Sequence, residues 1–243
     1  MIAADSGVFE RHIDNMRERV FTQDHNVTGF RGIIEIYLYS LFVSLKKVTK
    51  DYIRYTYYTS DTLNEKRKKE ESHVERVFAY ELYRQWCDNE IIKANTGLVI
   101  NAEIPKQLVD CEDDGHLYYP DLVLHLGQNA SKGNLIVCEF KRKDYVDLHP
   151  DEMQSDFKKL KHYIDEGTKA KNIDNWEPFK IGVFVMVVKF LTDEEVFSIK
   201  LIEQYLNQEI RGYCDNIKKR IICVVYNGEE LKYATLKDLT DKR

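Results

Sequence analysis

Two apolar segments near the middle of the chain are separated by a turn that contains Gly, Asn and Ser. The first segment reads Tyr-Pro-Asp-Leu-Val-Leu-His-Leu at residues 119–126, and the second reads Asn-Leu-Ile-Val-Cys-Glu-Phe-Lys at residues 134–141. Both segments are short and rich in branched aliphatic residues, which is typical of β-strands. Two such strands joined by a turn predict a hairpin.

Asp121, Glu139 and Lys141 lie at polar positions of these otherwise apolar strands. Alternate residues of a strand face the same way, about 6–7 Å apart, so Glu139 and Lys141 share one face while Cys138 and Phe140 point to the other. If the strands pair, Asp121 can approach Glu139. Two neighbouring carboxylates repel unless a cation compensates them, and a hard divalent ion such as Mg²⁺ takes oxygen ligands of this kind. The pattern predicts a metal site suited to phosphodiester cleavage, and the alternative is a solvated ladder of salt bridges on an edge strand.

The remaining elements follow a regular order along the chain. The predicted elements are helices at 5–20, 28–58 and 70–90, strands at 98–104, 117–126 and 134–141, a helix at 151–166, a strand at 181–188, a helix at 193–211 and a strand at 221–226. The first three strands can pair as a meander, whereas the later ones need crossover helices. This order predicts an α/β fold with a mixed β-sheet flanked by helices. We expect an N-terminal helical extension at residues 1–63 and a second domain at residues 64–243.

Composition and charge limit the kinds of protein that this chain can be. The net charge is −5, so binding to nucleic acid would require a local basic face. Five cysteines without a Cys-x-x-Cys pair argue against a disulfide framework or a zinc knuckle and favour the reducing cytoplasm. The longest apolar stretch, from Ile33 to Leu45, is interrupted by Glu35 and is too short to span a bilayer. We therefore expect a cytoplasmic protein with no membrane partner and no organic cofactor.

Pro120-Asp121 followed by Glu139-Phe140-Lys141 resembles the signature of the PD-(D/E)xK, or restriction-endonuclease-like, superfamily. The resemblance covers about residues 70–190, where the order helix, three strands, helix, strand also matches the superfamily core. It implies a restriction-endonuclease-like fold and a metal-dependent nuclease that hydrolyses phosphodiester bonds in DNA, with RNA as the alternative substrate. It also implies that Asp121, Glu139 and the backbone carbonyl of Phe140 bind Mg²⁺, for which Mn²⁺ can substitute, and that Lys141 is catalytic.

The superfamily usually places a further acid on the helix before the first strand. Glu75 is our first choice, because a Glu-Arg pair early in that helix is a recurrent form, and Glu81 is the rival because it falls on the apolar stripe. The sequence leaves both open. Glu103 on the first strand and Gln154 on the helix after the motif are further candidates, Gln154 for contact with metal-bound water or substrate.

Basic residues beside the motif are candidates for contacts with nucleic acid. Arg142 and Lys143 follow Lys141 directly and could clamp a phosphate backbone, or they could form a solvated strand end. Lys158, together with Lys159 and Lys161, either extends this basic surface or forms the solvent-exposed (wet) face of the next helix.

Two other functions remain open at this stage. The first is a catalytically inactive module of the same fold that binds nucleic acid or acts as a scaffold. The second is self-association as a homodimer through the Tyr-rich segment 37–58, whose apolar residues repeat at helical spacing. That spacing is equally expected from a helix that packs into the core, and the tyrosines could also stack on bases.

Overall fold

A computed structural model describes residues 31–54, 77–102, 120–127, 133–165, 177–189, 191 and 195–241. The helices before the sheet are α1 (Arg31–Lys47), α2 (Lys50–Arg54), α3 (described over residues 77–87) and α4 (Glu90–Lys93). The strands are β1 (Leu98–Ala102), β2 (Leu122–Leu126), β3 (Asn134–Arg142), β4 (Ile181–Val187), β5 (Ile221–Tyr226) and β6 (Leu231–Thr235). The later helices are α5 (Lys143–Leu148), α6 (Pro150–Ile164), α7 (Lys200–Glu203), α8 (Gln208–Arg211), α9 (Asp215–Arg220) and α10 (Leu236–Thr240).

The six strands form one mixed sheet in the order β1-β2-β3-β4-β5-β6. The strands β1, β2 and β3 pair antiparallel, β3, β4 and β5 pair parallel, and β6 returns antiparallel to β5. Parallel neighbours need a crossover, and α5 and α6 provide it between β3 and β4. The prediction of an α/β fold with a mixed sheet flanked by helices is confirmed.

The sheet separates two apolar layers because successive side chains of each strand point to opposite faces. One layer, which we call the first core, joins α1 and α3 to strand residues that include Leu122 and Phe140. The other, the second core, joins α6 and the C-terminal helices to strand residues that include Val123, Val137 and Phe184. β4 is buried along its whole length, as its continuous apolar sequence predicts.

The helix α1 belongs to the first core. Leu38, Leu41 and Leu45 are fully buried there at helical spacing, which confirms the core-packing interpretation for the described part of segment 37–58. Trp86 on α3 donates a hydrogen bond from Nε1 to Ser40 Oγ at 2.8 Å, and this bond links the two helices within the apolar layer. The proposed boundary near residue 63 lies outside the described residues, and the division into two domains stays a prediction.

The C-terminal region differs from the prediction. The single helix predicted at 193–211 is wrong, because α7 and α8 are short and separate. Asn207 starts a new helix by accepting the backbone N–H of Ile210 on its side chain at 2.9 Å, a typical N-cap. α9, β6 and α10 were not predicted. The apolar spacing of the helix predicted at 70–90 places Val77 on its inward face, but Val77 is 36 % exposed.

We expect Leu41→Ala to lower the free energy of unfolding of the whole protein by about 2–5 kcal/mol, because it leaves a cavity in the first core. Urea unfolding followed by fluorescence and by circular dichroism should show one shifted transition. Lys46→Ala, an exposed change on the same helix, is the control and should leave the transition in place. Separate transitions for the two probes would instead show that α1 unfolds independently of the sheet.

Candidate functional site

Asp121 directly precedes β2, and its carboxylate contacts β3. Its Oδ2 accepts a hydrogen bond from the backbone N–H of Phe140 at 2.7 Å. In the antiparallel register, Leu122 pairs with Cys138, and continuing that register places Asp121 opposite Glu139. The hairpin therefore brings the two parts of the motif together, as the strand pairing predicts.

The backbone carbonyl of Phe140 also points towards Asp121. The N–H and the C=O of one strand residue point to the same strand edge, and the N–H of Phe140 points to Asp121. β2 begins only at Leu122, so Asp121 lies beyond its paired residues. The carbonyl of Phe140 is thus directed towards the edge at which Asp121 lies, where a backbone ligand is expected.

Glu139 is 2 % exposed and faces the second core, whereas its neighbours Cys138 and Phe140 lie in the first core. Among the described residues, Glu139 Oε1 has no hydrogen-bond partner. Burial raises the pKa of Glu139 well above its ordinary value, and the negative charges of Asp121 and Asp156 raise it further. Lys159 and Lys141 act in the opposite direction without cancelling this rise.

Asp156 and Lys159 on α6 complete the cluster; Lys159 was predicted only as part of a basic surface or a solvent-exposed helix face, and Asp156 was not predicted as a site residue. Asp156 is 1 % exposed, and its Oδ1 accepts a hydrogen bond from Lys159 Nζ at 2.7 Å. Lys159 Nζ also lies 3.9 Å from Glu139 Oε2. Burial lowers the pKa of Lys159, but the carboxylates of Glu139 and Asp156 outweigh it and raise the pKa to about 12. The interpretation of Lys159 as part of a wet face is therefore wrong.

A sequence signal for Asp156 existed. Met153, Phe157 and Leu160 form the buried stripe of α6, and Asp156 lies three residues after the first of them and four before the last. Positions three and four apart share one face of a helix. An acid within an apolar stripe needs a partner, and this requirement could have directed attention to Lys159 one turn further on.

Lys141 lies on the same face as Glu139, as predicted. Its Nζ is 3.5 Å from Asp156 Oδ2 and 3.7 Å from Glu152 Oε2, and it lies 5.8 Å from the centre of the Tyr145 ring. Asp156 is thus shared between two lysines. The described cluster contains Glu139, the two acids whose charges act on it, Asp121 and Asp156, and the ammonium groups of Lys141 and Lys159.

One candidate for the further acid, Glu81, lies among the described residues. Glu75 and Glu103 lie outside the described residues. The carboxylate of Glu81 accepts hydrogen bonds from Arg84 at 2.9 and 2.6 Å and from Gln85 at 2.7 Å on its own helix. These bonds, above all the one with Arg84, lower the pKa of Glu81. Glu81 therefore has local partners on α3, which packs in the first core, on the other side of the sheet from Glu139.

Gln154 and His125 have partners within the fold. Gln154 Oε1 accepts a hydrogen bond from Asn207 Nδ2 at 2.8 Å, so Gln154 joins α6 to the cap of α8. His125 is buried at the far end of β2 from Asp121, and its Nε2 lies 2.8 Å from Asn101 Nδ2. Both side chains thus have positions that the packing of the fold explains.

The basic candidates are largely paired with acids. Lys143 is only 4 % exposed, and its Nζ lies 2.9 Å from an oxygen of Asp147 and 2.7 Å from one of Glu195. The ammonium of Lys143 is thus held between two carboxylates, and its contact with a phosphate backbone stays a prediction. Arg142 pairs with Asp144.

Lys158 is the most accessible of the three predicted contacts. Its side chain is 49 % exposed, and its Nζ lies 3.0 Å from Glu209. An exposed pair of this kind contributes little free energy, so a phosphate could replace Glu209 as the partner.

The donor set fits a hard divalent ion. Within the described part of the chain, no three side chains of His, Cys, Asp or Glu are placed to enclose a metal ion. Mg²⁺ is commonly held by one or two carboxylates with several waters. Asp121 and Glu139 meet that requirement, with the Phe140 carbonyl beside them and a buried Glu139 oxygen that has no hydrogen-bond partner among the described residues.

Comparisons with protein-family models, with curated proteins and with solved structures found no match to this chain. Among the described helices, none has both the length and the apolar character needed to span a membrane.

We expect Glu139→Gln to stabilise the protein at pH 8 by on the order of 1 kcal/mol, measured by urea unfolding in a chelator. The pKa of Glu139 is raised in the folded state, so the folded state binds more protons than the unfolded state above the ordinary pKa of glutamate. The free energy of unfolding therefore falls as the pH rises from the ordinary pKa of glutamate towards the raised pKa of Glu139. The glutamine variant has no such titration and avoids this fall.

At pH 4, below the ordinary pKa of glutamate, the advantage of this variant should disappear. Glu152→Gln is the matched control, since Glu152 is an exposed acid near Lys141, and it should show no such pH-dependent gain. An equal pH dependence of stability in wild type and Glu139→Gln would contradict the electrostatic account.

Proposed function

We propose that this chain is a metal-dependent nuclease of the PD-(D/E)xK type that hydrolyses phosphodiester bonds in DNA. The observation that carries the proposal is the register of β2 and β3, which places Asp121 opposite Glu139, with Lys141 on the same face as Glu139. The described order of a helix, three antiparallel strands, a helix and a parallel strand supports a restriction-endonuclease-like fold.

In this proposal Asp121, Glu139 and the carbonyl of Phe140 hold Mg²⁺, or Mn²⁺ in its place. The ion, when bound, supplies a water of lowered pKa and neutralises the charge that develops on phosphorus. Lys141 donates hydrogen bonds to the attacking water or to a phosphate oxygen and orients it, since its ammonium lies on the same face as the acids. Packing of α6 against the strands limits the access of bulk water to Glu139, which strengthens the attraction of Glu139 for a cation.

The nucleic acid would contact the protein through Lys158 and Arg142, after exchange of their carboxylate partners for phosphates. Contacts of this type position the backbone and carry no sequence information. We expect binding to weaken steeply with salt, because each phosphate contact releases counterions. A cytoplasmic location and a homodimer remain predictions.

We expect Asp121→Asn, Glu139→Gln and Lys141→Ala each to reduce cleavage by on the order of 10²-fold or more, because each removes a charge that holds the ion or orients the reacting groups. Purified protein should be tested with Mg²⁺ and Mn²⁺ on single-stranded, duplex and branched DNA and on RNA. Lys219→Ala, an exposed change on α9, is the control and should cleave as wild type. Cleavage by the triple variant at the rate of wild type would refute the assignment.

A catalytically inactive module is the second candidate, and one observation favours it. An ammonium already lies beside Glu139, so the acids have a cation without any metal. Calorimetric titration with Mn²⁺ separates the two candidates. The nuclease predicts binding that Asp121→Asn and Glu139→Gln abolish, whereas the module predicts binding to nucleic acid with no uptake of Mn²⁺.

A further inference from the structure

The ammonium of Lys159 lies between two buried acids. It donates a hydrogen bond to Asp156 Oδ1 at 2.7 Å and lies 3.9 Å from Glu139 Oε2. Both acids are almost fully buried, and the second oxygen of each, Glu139 Oε1 and Asp156 Oδ2, has no hydrogen-bond partner among the described residues. Asp156 Oδ2 nevertheless lies 3.5 Å from the ammonium of Lys141, so Glu139 Oε1 is the buried oxygen of this pair that is still available to a cation.

The two contacts of Lys159 differ in strength. The contact with Asp156 has the length of a charge-assisted hydrogen bond, whereas the contact with Glu139 is beyond hydrogen-bond distance. Asp156 lies one turn before Lys159 on α6 and anchors it. Glu139 has an ion-pair contact with Lys159 but no hydrogen bond from it, and a small divalent ion with direct oxygen contacts would compensate its charge better.

Lys159 can also move away from Glu139. Its side chain is 22 % exposed, so part of it reaches solvent. The ammonium is carried on a flexible stem of four carbons, so it can take up another position. An ammonium and a divalent ion cannot both lie next to Glu139 without strong repulsion. The position beside Glu139 therefore holds one cation or the other.

We propose that Lys159 is a resident cation that occupies the metal position beside Glu139 in the metal-free protein, and that a divalent ion binds by displacing its ammonium. This inference rests on the proposed function, because it takes Glu139 as a metal ligand. Lys159 then acts as a residue that sets the affinity for metal. It stabilises the buried acids in the absence of the ion and weakens binding of the ion by competition.

Calorimetric titration with Mn²⁺ tests the competition directly. We expect Lys159→Met to bind Mn²⁺ on the order of tenfold more tightly than wild type, since it removes a positive charge close to the ion. Lys159→Arg keeps the charge and should not bind more tightly than wild type. Lys161→Met is the matched control, because Lys161 lies two residues further along the same helix and pairs with Asp165 instead, so the affinity of this variant for Mn²⁺ should be unchanged.

The outcomes separate this inference from the proposed function. Wild-type binding that Glu139→Gln abolishes, with no gain in Lys159→Met, overturns the inference and leaves the proposed function standing. No binding of Mn²⁺ by wild type or by Lys159→Met overturns both. Tighter binding by Lys161→Met to the same extent would show a general effect of surface charge and would also overturn the inference.

A second measurement needs no variant and so does not depend on the folding of Lys159→Met. Wild-type protein is treated briefly with an amine-acylating reagent, with and without Mn²⁺, and the modified lysines are quantified by mass spectrometry. We expect Mn²⁺ to increase the acylation of Lys159 severalfold, because the displaced ammonium becomes accessible, while Lys158 serves as the internal reference. Unchanged or decreased acylation of Lys159 at Mn²⁺ concentrations that saturate the protein would overturn the inference.

Discussion

The hydrogen bond from the Phe140 backbone to the Asp121 carboxylate links the fold to the candidate site. It fixes an acid that lies just outside β2 against the strand that carries Glu139. The register of the hairpin is specified by its two buried faces, since a slip of one residue would exchange Leu122 and Leu124 with Val123 between the two cores. The same slip would move Asp121 away from Glu139. Packing on both sides of the sheet thus determines the geometry of the acids.

The charged cluster between α6 and β3 lowers the free energy of unfolding. Glu139 and Asp156 are both almost fully buried, and burial together with neighbouring negative charge raises the pKa of Glu139. Strongly perturbed acids are commonly found where a protein binds a cation or performs chemistry, although structural ion pairs can produce them as well. Here Lys159 and Lys141 provide partial compensation. The surrounding apolar layer makes each of these charges interact more strongly than it would at the surface.

Local pattern predicts much of this architecture. The apolar stripe of α6, the continuous burial of β4 and the opposite facing of Glu139 and Phe140 follow from periods of 3.6 and 2 residues. The prediction of one helix at 193–211 is wrong because the side chain of Asn207 caps the start of a new, separate helix within this segment. β6 was missed because only its pairing with β5, and not its own sequence, distinguishes it from a loop. The burial of Lys143 was not predicted because its acid partners include Glu195, which is distant in sequence.

The sequence by itself determined the order of the elements and the face of β3 on which Glu139 and Lys141 lie, because alternation along a strand is a local property. Only the tertiary structure decided which groups surround these side chains. Asp156 and Lys159 reach Glu139 because α6 crosses the sheet at that point, and the crossing depends on how the two apolar surfaces pack together. No periodicity within either element encodes that contact, so the acid and the lysine could be recognised as part of the cluster only after the helix was placed on the sheet.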